Sequence, residues 1–375
     1  MITKNRVNWI DGMLINKKHF IGIEDFLLSN TYVSNKLISR GSYGIIPVSN
    51  QIENQYPWIK LSIDSSDSNN QKIIVEQIEF AGITPSGTLI DVTNESFYSD
   101  FEERSKKNTT IIVDVDKQKI THADPIYLVL LVQPNETIGV GENPVAEEPL
   151  RLPYCKQKME LRCVSSNSDD ENIVGPNHFP IGKIKIINHK LEIDRNFIPP
   201  CFFVSAHHEL FERFLAIKES LSYLINSIDK FLQENHSNSD KKIDVLKEIY
   251  FHLYMDLIDK YTYIDEENEF VRPYELARFI RVLALQMKKA LLVNGDAHSY
   301  FVELWNSKYG INFHNVTTEI EFIKNIKSYD LSEALLSSQK ILDGYLCQIA
   351  TITNYNTGYI PKPPVKFKPD ADFEL

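Results

Sequence analysis

The first 200 residues alternate short apolar stretches with clusters of Gly, Pro, Asn and Ser. Stretches rich in Ile, Val and Tyr that are bounded by turn residues are typical of β-strands. Here they are YGIIPV (43–48), WIKLSI (58–63), KIIVEQIEF (72–80), TTIIVDV (109–115) and IYLVLLV (126–132). A further stretch, 182–194, alternates on both sides of Asn188-His189 and predicts a hairpin. We therefore predict a β-sandwich-like domain over residues 1–200.

After Pro199-Pro200 the apolar positions follow a helical period. They recur at steps of four and three, the pattern of a helix packed lengthwise in a bundle: Leu210, Phe214, Ile217, Leu221, Leu224, Ile228 and Phe231. Three more long helices are predicted over 241–261, from Pro273 to Asn294-Gly295, and from Asp330 to about Ile352. The pattern therefore predicts a four-helix-bundle domain over 201–355, followed by a Pro-rich tail over 356–375. The predicted fold class is α+β and multidomain.

The chain start contains an Asp-Gly pair between alternating apolar residues. Asp11-Gly12 is preceded by Val7 and Trp9 and followed by Met13. Asp-Gly readily adopts the positive φ angles of a two-residue hairpin turn. The pattern predicts a β-hairpin at the start of the chain.

Composition and charge exclude several classes of protein. The chain has 375 residues, of which 43% are hydrophobic, so it can bury a sizeable core. A formal net charge of -11 argues against a nucleic-acid-binding or membrane-surface protein, because both kinds of binding need a positive field. The four cysteines lack Cys-x-x-Cys spacing, and no signal peptide or transmembrane stretch is evident, so we expect a cytoplasmic protein without direct membrane insertion.

Motifs for catalysis or cofactor binding are incomplete. His208-Glu209 begins like a zinc-protease HExxH motif, but Glu212 stands where the second His is needed. The Gly139–Gly141 stretch lacks the third glycine of a dinucleotide fingerprint, since Pro144 occupies that position. We therefore expect no catalytic residue, no cofactor and no metal site. A metal hydrolase that uses His207, His208 and Glu212 remains a minor alternative.

The opening stretch resembles the N-terminal signature of the TssK family, the baseplate subunit of the bacterial type VI secretion system. That signature reads roughly Trp-x-Glu-Gly-Met, two apolar residues, x-Pro-Gln-His-Phe. Here Trp9, Asp11-Gly12-Met13 and His19-Phe20 match it in spacing. Two later stretches also resemble the family: FPIGKI (179–184) and FIPPCF (197–202), the second just before the first long helix.

The sequence departs from the family pattern at several points. Asp11 replaces the usual Glu, Lys17 replaces Pro and Lys18 replaces Gln, which indicates a divergent member. The resemblance also implies a C-terminal head domain that contacts the membrane complex, whereas this chain stops about twenty residues after its last predicted helix. We therefore expect the tail, residues 356–375, to contact a membrane-complex component in place of a head.

The resemblance implies a structural role without enzymatic activity. A TssK-like protein is a homotrimer whose N-terminal domain, similar to the shoulder of phage receptor-binding proteins, attaches to the TssF and TssG wedge proteins, while its helices form a neck. The expected partner-binding residues are Trp9, Asp11, Gly12, Met13, His19 and Phe20. The alternative that Trp9 and Phe20 fill the core of their own subunit stays open. A phage-tail or other contractile-injection adaptor is the alternative function.

One predicted helix is apolar over an unusually wide arc. In the stretch 276–292 the apolar side chains span about 200° of the helix at 100° per residue, while Arg278, Arg281, Lys288 and Lys289 cluster on one side. A single neighbouring helix covers only about half of that arc. The residues expected at a trimer interface are Phe279, Ile280, Leu283 and Met287.

Overall fold

The computed structural model describes residues 6–39, 41–47, 58–64, 72–97, 111–114, 124–138, 154–187, 190–239, 241–293, 329–332, 335–336 and 338–342. Their helices are α1 (Lys17–Ser39), α2 (Asp170–Ile173), α3 (His208–Glu234), α4 (Lys241–Glu267) and α5 (Pro273–Val293). The strands are β1 (Gly44–Ile46), β2 (Ile59–Asp64), β3 (Lys72–Ile83), β4 (Leu89–Thr93), β5 (Ile111–Asp114), β6 (Ile126–Ile138), β7 (Tyr154–Ser165), β8 (His178–Ile187) and β9 (Lys190–Ile193). The last described residues, 331–332, 335–336 and 338–342, are helical.

A five-stranded antiparallel sheet is built around the long strand β3. The first half of β3 pairs with β2 and β5, and its second half pairs with β1 and β4. Lys60 lies opposite Gln77 while Leu61 lies opposite Val75, so Glu76 is an extra residue that forms a β-bulge. The bulge shifts the alternation by one residue, which explains why the buried positions change from odd to even numbers along the strand.

A second antiparallel sheet has the strand order β7-β6-β8-β9. Its inner strand β6 is buried without interruption from Ile126 to Leu130, as expected for a strand covered on both faces. Strands β8 and β9 pair with Ile187 opposite Lys190, which confirms the hairpin predicted over 182–194. All five strands predicted from the apolar stretches are also present, whereas β4 and β7 were not predicted.

The two sheets contact each other through β2 and the residue just before β1 on one side and β8 on the other. A Cβ atom added to Gly182 in β8 would lie 3.2 Å from Leu61 Cδ1 in β2, so these strands approach closely. The rings of Tyr43 and Phe179 lie 6.2 Å apart, and Phe179 is completely buried. The mixed helix-and-sheet fold predicted from the sequence is therefore confirmed.

The predicted N-terminal hairpin is wrong. Residues 6–16 contain a turn at Asp11-Gly12 but no strand, and they lead directly into α1, a helix of 23 residues that the sequence pattern did not predict. Gly12 has a φ of 79°, whereas Asp11 is not among the residues with positive φ. A hairpin of the expected type needs positive φ at both residues. The turn is therefore not of the type that joins two paired strands.

Three of the four predicted long helices are confirmed as α3, α4 and α5, and the fourth is confirmed over its described positions. The predicted apolar positions of α3, from Leu210 to Phe231, are at most 1% exposed. Phe231 of α3 contacts Tyr250 of α4, with ring centroids 5.2 Å apart. Gln286 of α5 donates a hydrogen bond to Asp256 of α4 at 3.0 Å. These contacts give the helices a common core.

The chain forms two compact units. One contains Met1–Leu210 together with Ser328–Leu331, and the other contains Phe211–Lys327 and Ser332–Leu375. The boundary therefore falls about ten residues beyond the predicted one, inside the first turn of α3, and the first unit also includes a short segment from far along the chain. The predicted tail, residues 356–375, lies outside the described residues.

The distant segment is held in the first unit by polar contacts in a buried environment. Lys183 Nζ lies 2.7 Å from Asp330 Oδ2, and the two side chains are only 10% and 6% exposed. The Tyr329 hydroxyl donates a hydrogen bond to Asp170 Oδ1 at 2.9 Å. The Tyr127 ring packs on Tyr329, and its burial raises the pKa of Tyr127 to about 12. Residues more than 140 positions apart thus form one cluster.

Candidate partner-binding site

The Asp11-Gly12 turn reverses the chain before α1. Met13 donates its backbone N–H to the carbonyl of Ile10 at 3.2 Å, and the positive φ of Gly12 is the conformation that a type II turn requires at its third residue. A side chain at this position would be strained, which explains the glycine. The turn brings the residues on either side of it to the start of the helix.

Asn16 and His19 cap the first turn of α1. The Asn16 side-chain oxygen accepts a hydrogen bond from the Lys18 N–H at 3.0 Å, and His19 Nδ1 accepts one from the Asn16 N–H at 3.2 Å. This is the reciprocal geometry of a capping box, with His in the position that Glu or Gln usually holds. One role of the His in the opening motif is therefore to cap the N-terminus of the helix.

The residues before the turn pack back onto α1. The rings of Trp9 and His19 meet edge to face with centroids 5.9 Å apart. A Cβ on Gly22 would lie 3.0 Å from Val7 Cγ2, so the absence of a side chain lets the preceding segment approach the helix. Turn, cap and ring contact together give residues 7–22 a defined conformation.

The C-terminal half of α1 is attached to the turn between β3 and β4. Asn35 Nδ2 donates a hydrogen bond to the Gly87 carbonyl at 2.9 Å. A Cβ on Gly87 would lie 2.8 Å from the Tyr32 carbonyl oxygen, and Gly87 has a φ of 93°. Helix and turn are thus in direct backbone contact, which fixes the orientation of α1 on the first sheet.

The N-terminal half of α1 and the segment before it expose many apolar side chains. We call this set the opening surface: Trp9, Ile10, Leu14, Ile15, Phe20, Ile21, Leu27 and Leu28. Trp9 is 46% exposed and Phe20 is 61% exposed. Phe20 and Leu27 are seven residues apart, as are Ile21 and Leu28, so each pair repeats after two helical turns on the same side. A group of exposed apolar residues of this kind is typical of a binding surface.

The other predicted partner-binding residues belong to the same segment. Asp11 and Gly12 are exposed at the turn, and Met13 and His19 are half-buried beside it. The structure therefore brings the six predicted residues together. Sequence reasoning missed the contribution of α1, although the seven-residue spacing of Leu27 and Leu28 from Phe20 and Ile21 was available as a signal.

The predicted trimer-interface residues do not form one exposed surface. Ile280 is 0% and Leu283 is 1% exposed, because both point into the core of the second unit. These two residues have no surface left for another subunit, so their assignment to the interface is wrong. Phe279 is half-buried, and the side chain of Met287 is outside the description.

The two later stretches that carry the family resemblance are buried. In β8, Phe179, Ile181 and Ile184 are at most 1% exposed. The 197–202 stretch passes so close to β1 that a Cβ on Gly44, which has a φ of 118°, would lie 2.0 Å from the Pro200 carbonyl oxygen. These stretches build the core, so the opening stretch is the exposed part of the resemblance.

The histidines of the hydrolase alternative lie at the start of α3. His208 is the first residue of the helix, and Glu212 is exposed one turn later. Among the described residues, no group of three or more His, Cys, Asp or Glu side chains is arranged to hold a metal ion. A membrane-spanning helix is likewise not found in the described part of the chain.

Comparisons with known proteins give distant structural similarities. No family model and no curated protein matches the sequence. A chain of the TssK-TssF-TssG baseplate subcomplex of the type VI secretion system is similar with a TM-score of 0.44 and 13% identity, over 92% of this chain and 99% of that chain. A crystal structure of TssK has a TM-score of 0.46 and 12% identity, over 91% and 72%. TssK from the EAEC system, in complex with a nanobody, has a TM-score of 0.47 and 13% identity, over 87% and 68%.

Proposed function

We propose that this protein is a TssK-like structural component of a type VI secretion baseplate, without enzymatic activity. The observation that carries the proposal is the opening motif. Its spacing resembles that of the TssK signature, and its residues form an ordered segment with exposed apolar side chains. The function that this combination supports best is attachment to another protein.

The opening surface is the proposed attachment site for TssF and TssG. Trp9 and Phe20 are large aromatic residues, the type that supplies much of the binding energy at protein interfaces. The turn, the Asn16 cap and the packing of Trp9 on His19 order this segment before it binds. Less conformational entropy is then lost on association than for a disordered segment.

The rest of the proposal concerns assembly. The first unit is proposed to act as a sandwich-like shoulder, and the helices of the second unit as the neck of a homotrimer. The trimer is proposed to work in the cytoplasm, where it links the wedge to a membrane-complex component. The Pro-rich stretch 356–375 is the proposed contact with that component.

Replacement of Trp9 by Ala tests the attachment site. Truncation of a fully buried large aromatic side chain to Ala lowers the free energy of unfolding by roughly 3–5 kcal/mol. Trp9 is 46% exposed, so we expect its replacement to lower the free energy of unfolding by about half of that or less. Capture of the TssF and TssG proteins should weaken by at least ~2 kcal/mol. Pull-down titration measures the capture, and thermal denaturation measures the stability.

Leu89 provides a matched control for Trp9. It is 58% exposed in β4 of the same unit but is not part of the opening surface. Leu89→Ala should change neither capture nor stability appreciably. The attachment role is rejected if the folded Trp9→Ala protein captures the wedge proteins as tightly as the Leu89→Ala control.

A further inference from the structure

Helix α4 carries apolar side chains on two opposite sides. Its inner side is buried in the second unit at Leu246, Tyr250, Leu253 and Leu257, each at most 5% exposed. Its outer side presents Phe251, Met255 and Ile258, which are 53%, 56% and 38% exposed. These three residues are spaced by four and three positions, so they form one stripe along the helix. A helix that only covered its own core would be polar on the outer side.

The outer side of α4 is also acidic. Glu248, Asp259 and Glu266 are exposed and follow one edge of the apolar stripe at 100° per residue. Asp259 is paired locally with Lys260, at 3.0 Å. Within the described part of the chain, Glu248 and Glu266 take part in no ion pair. We call this combination of stripe and carboxylates the acidic face.

Helix α5 presents the opposite charge on its own outer side. Arg278 and Lys289 are exposed, and Arg281 is half-buried beside them. Among the described residues these three cations form no ion pair. The same side carries exposed apolar groups, since Tyr274 is 55% and Val282 is 44% exposed. We call these residues the basic face.

The two faces match in spacing as well as in charge. Glu248 and Asp259 are eleven residues apart, because 259 − 248 = 11, and Arg278 and Lys289 are also eleven apart, because 289 − 278 = 11. At 1.5 Å per residue both distances are about 16 Å along the helix axis. Two carboxylates of one helix can therefore lie opposite two cations of another while the apolar groups between them meet.

We propose that the acidic face of one copy packs on the basic face of a second copy of this chain. The proposal rests on the proposed function, to which it adds the surface that holds the subunits together. A contact between two different faces is heterologous, and a repeated heterologous contact closes into a ring when its rotation allows. A ring of three is the assembly that the proposed function requires. The interface therefore lies on the outer sides of α4 and α5, not at the buried Ile280 and Leu283.

A single lysine in the apolar stripe tests the contact. Met255→Lys adds a cation where the basic face of the neighbour would lie, and Met and Lys have nearly equal helix propensities. We expect the unchanged protein to have a trimer mass by light scattering at micromolar concentration. The variant should keep its helix content by circular dichroism but dissociate at least about tenfold more easily, because like charges in an interface repel.

Leu215→Lys is the matched control. Leu215 is 38% exposed on α3 in the same unit, so this variant adds the same charge to another helix and should leave the trimer intact. A monomeric mass for the unchanged protein would overturn the proposal. So would a Met255→Lys protein that assembles as tightly as the control, or a control that dissociates as readily as Met255→Lys.

Charge reversal adds a test of the pairing itself. Glu248→Lys with Asp259→Lys should weaken assembly, and so should Arg278→Glu with Lys289→Glu. A chain carrying all four changes regains complementary faces and should assemble again, whereas failure of this recovery contradicts the pairing. Wedge capture by folded Met255→Lys chains reports on the proposed function separately, since the opening surface is unchanged in them.

Discussion

The ion pair between Lys183 and Asp330 allows a quantitative test of how burial changes the contribution of a salt bridge to the free energy of unfolding. Its two charged atoms are 2.7 Å apart, and the side chains are 10% and 6% exposed. Lys60 and Glu76 form a second pair in the same unit at nearly the same distance, 2.8 Å, but their side chains are 62% and 35% exposed. Distance is thus held constant while solvent access differs.

Asp330→Asn removes one charge and leaves the Lys183 ammonium in its buried position. The resulting loss in free energy of unfolding has an upper limit, because the lysine can release its proton rather than remain charged without a partner. With a reference pKa of about 10.4, neutralising a lysine at pH 7 costs roughly 3.4 pKa units at about 1.36 kcal/mol each, or about 4.6 kcal/mol. Breaking a buried pair typically costs ~3–5 kcal/mol. We therefore expect a loss of roughly 3–4.5 kcal/mol in the free energy of unfolding.

The exposed pair should behave differently. Glu76→Gln is expected to lower the free energy of unfolding far less than Asp330→Asn, since water already solvates both charges. Replacing both buried partners, as in Lys183→Met with Asp330→Leu, should cost less than Asp330→Asn alone because no unpaired charge remains. Urea denaturation followed by tryptophan fluorescence measures each variant. The reasoning is refuted if Asp330→Asn and Glu76→Gln lose the same stability, or if the double replacement costs more than the single one.

Two further predictions concern pH and the tail. Because burial raises the pKa of Tyr127 to about 12, whereas an unfolded tyrosine titrates near 10, the native state keeps a proton that the unfolded state loses. Stability should therefore fall between about pH 10 and pH 12, by at most about 1.4 kcal/mol per pH unit, and Tyr127→Phe should reduce this fall in urea denaturation. Deletion of residues 356–375 should leave wedge capture and trimer mass intact while abolishing secretion, because a Pro-rich segment is pre-extended for binding. Normal secretion by the truncated protein would rule out a docking role for the tail.

Helices and strands could be predicted from the sequence where packing on the core requires apolar residues at regular intervals. The seven apolar positions of α3 predicted a helix because a residue every three or four positions must face the same core, and all seven are buried. The long strands β3 and β6 were predicted for the equivalent reason. By contrast, α1 buries only Ser29 and Ser39 and exposes much of its apolar surface, so its sequence carries a weak helical signal.

The candidate site was predicted in its residues but not in its shape. The spacing from Trp9 to Phe20 identified the segment, yet the conformation depends on contacts with the helix that follows. Asp-Gly is compatible with more than one turn type, and here the cap formed by Asn16 and the packing of Val7 on Gly22 favour a turn without paired strands. Local propensity alone does not distinguish these alternatives.

The sequence by itself determined most of the strands and the long helices after Pro200, because hydrophobic period and turn residues act over a few neighbouring positions. Only the tertiary structure decided which apolar residues remain on the surface. Ile280 and Phe251 are both large apolar residues of predicted helices, yet one is 0% and the other 53% exposed. The pairing of Lys183 with Asp330 across 147 positions was equally inaccessible to pattern reading. Burial and long-range pairing depend on which elements pack together, and that is a property of the whole folded chain.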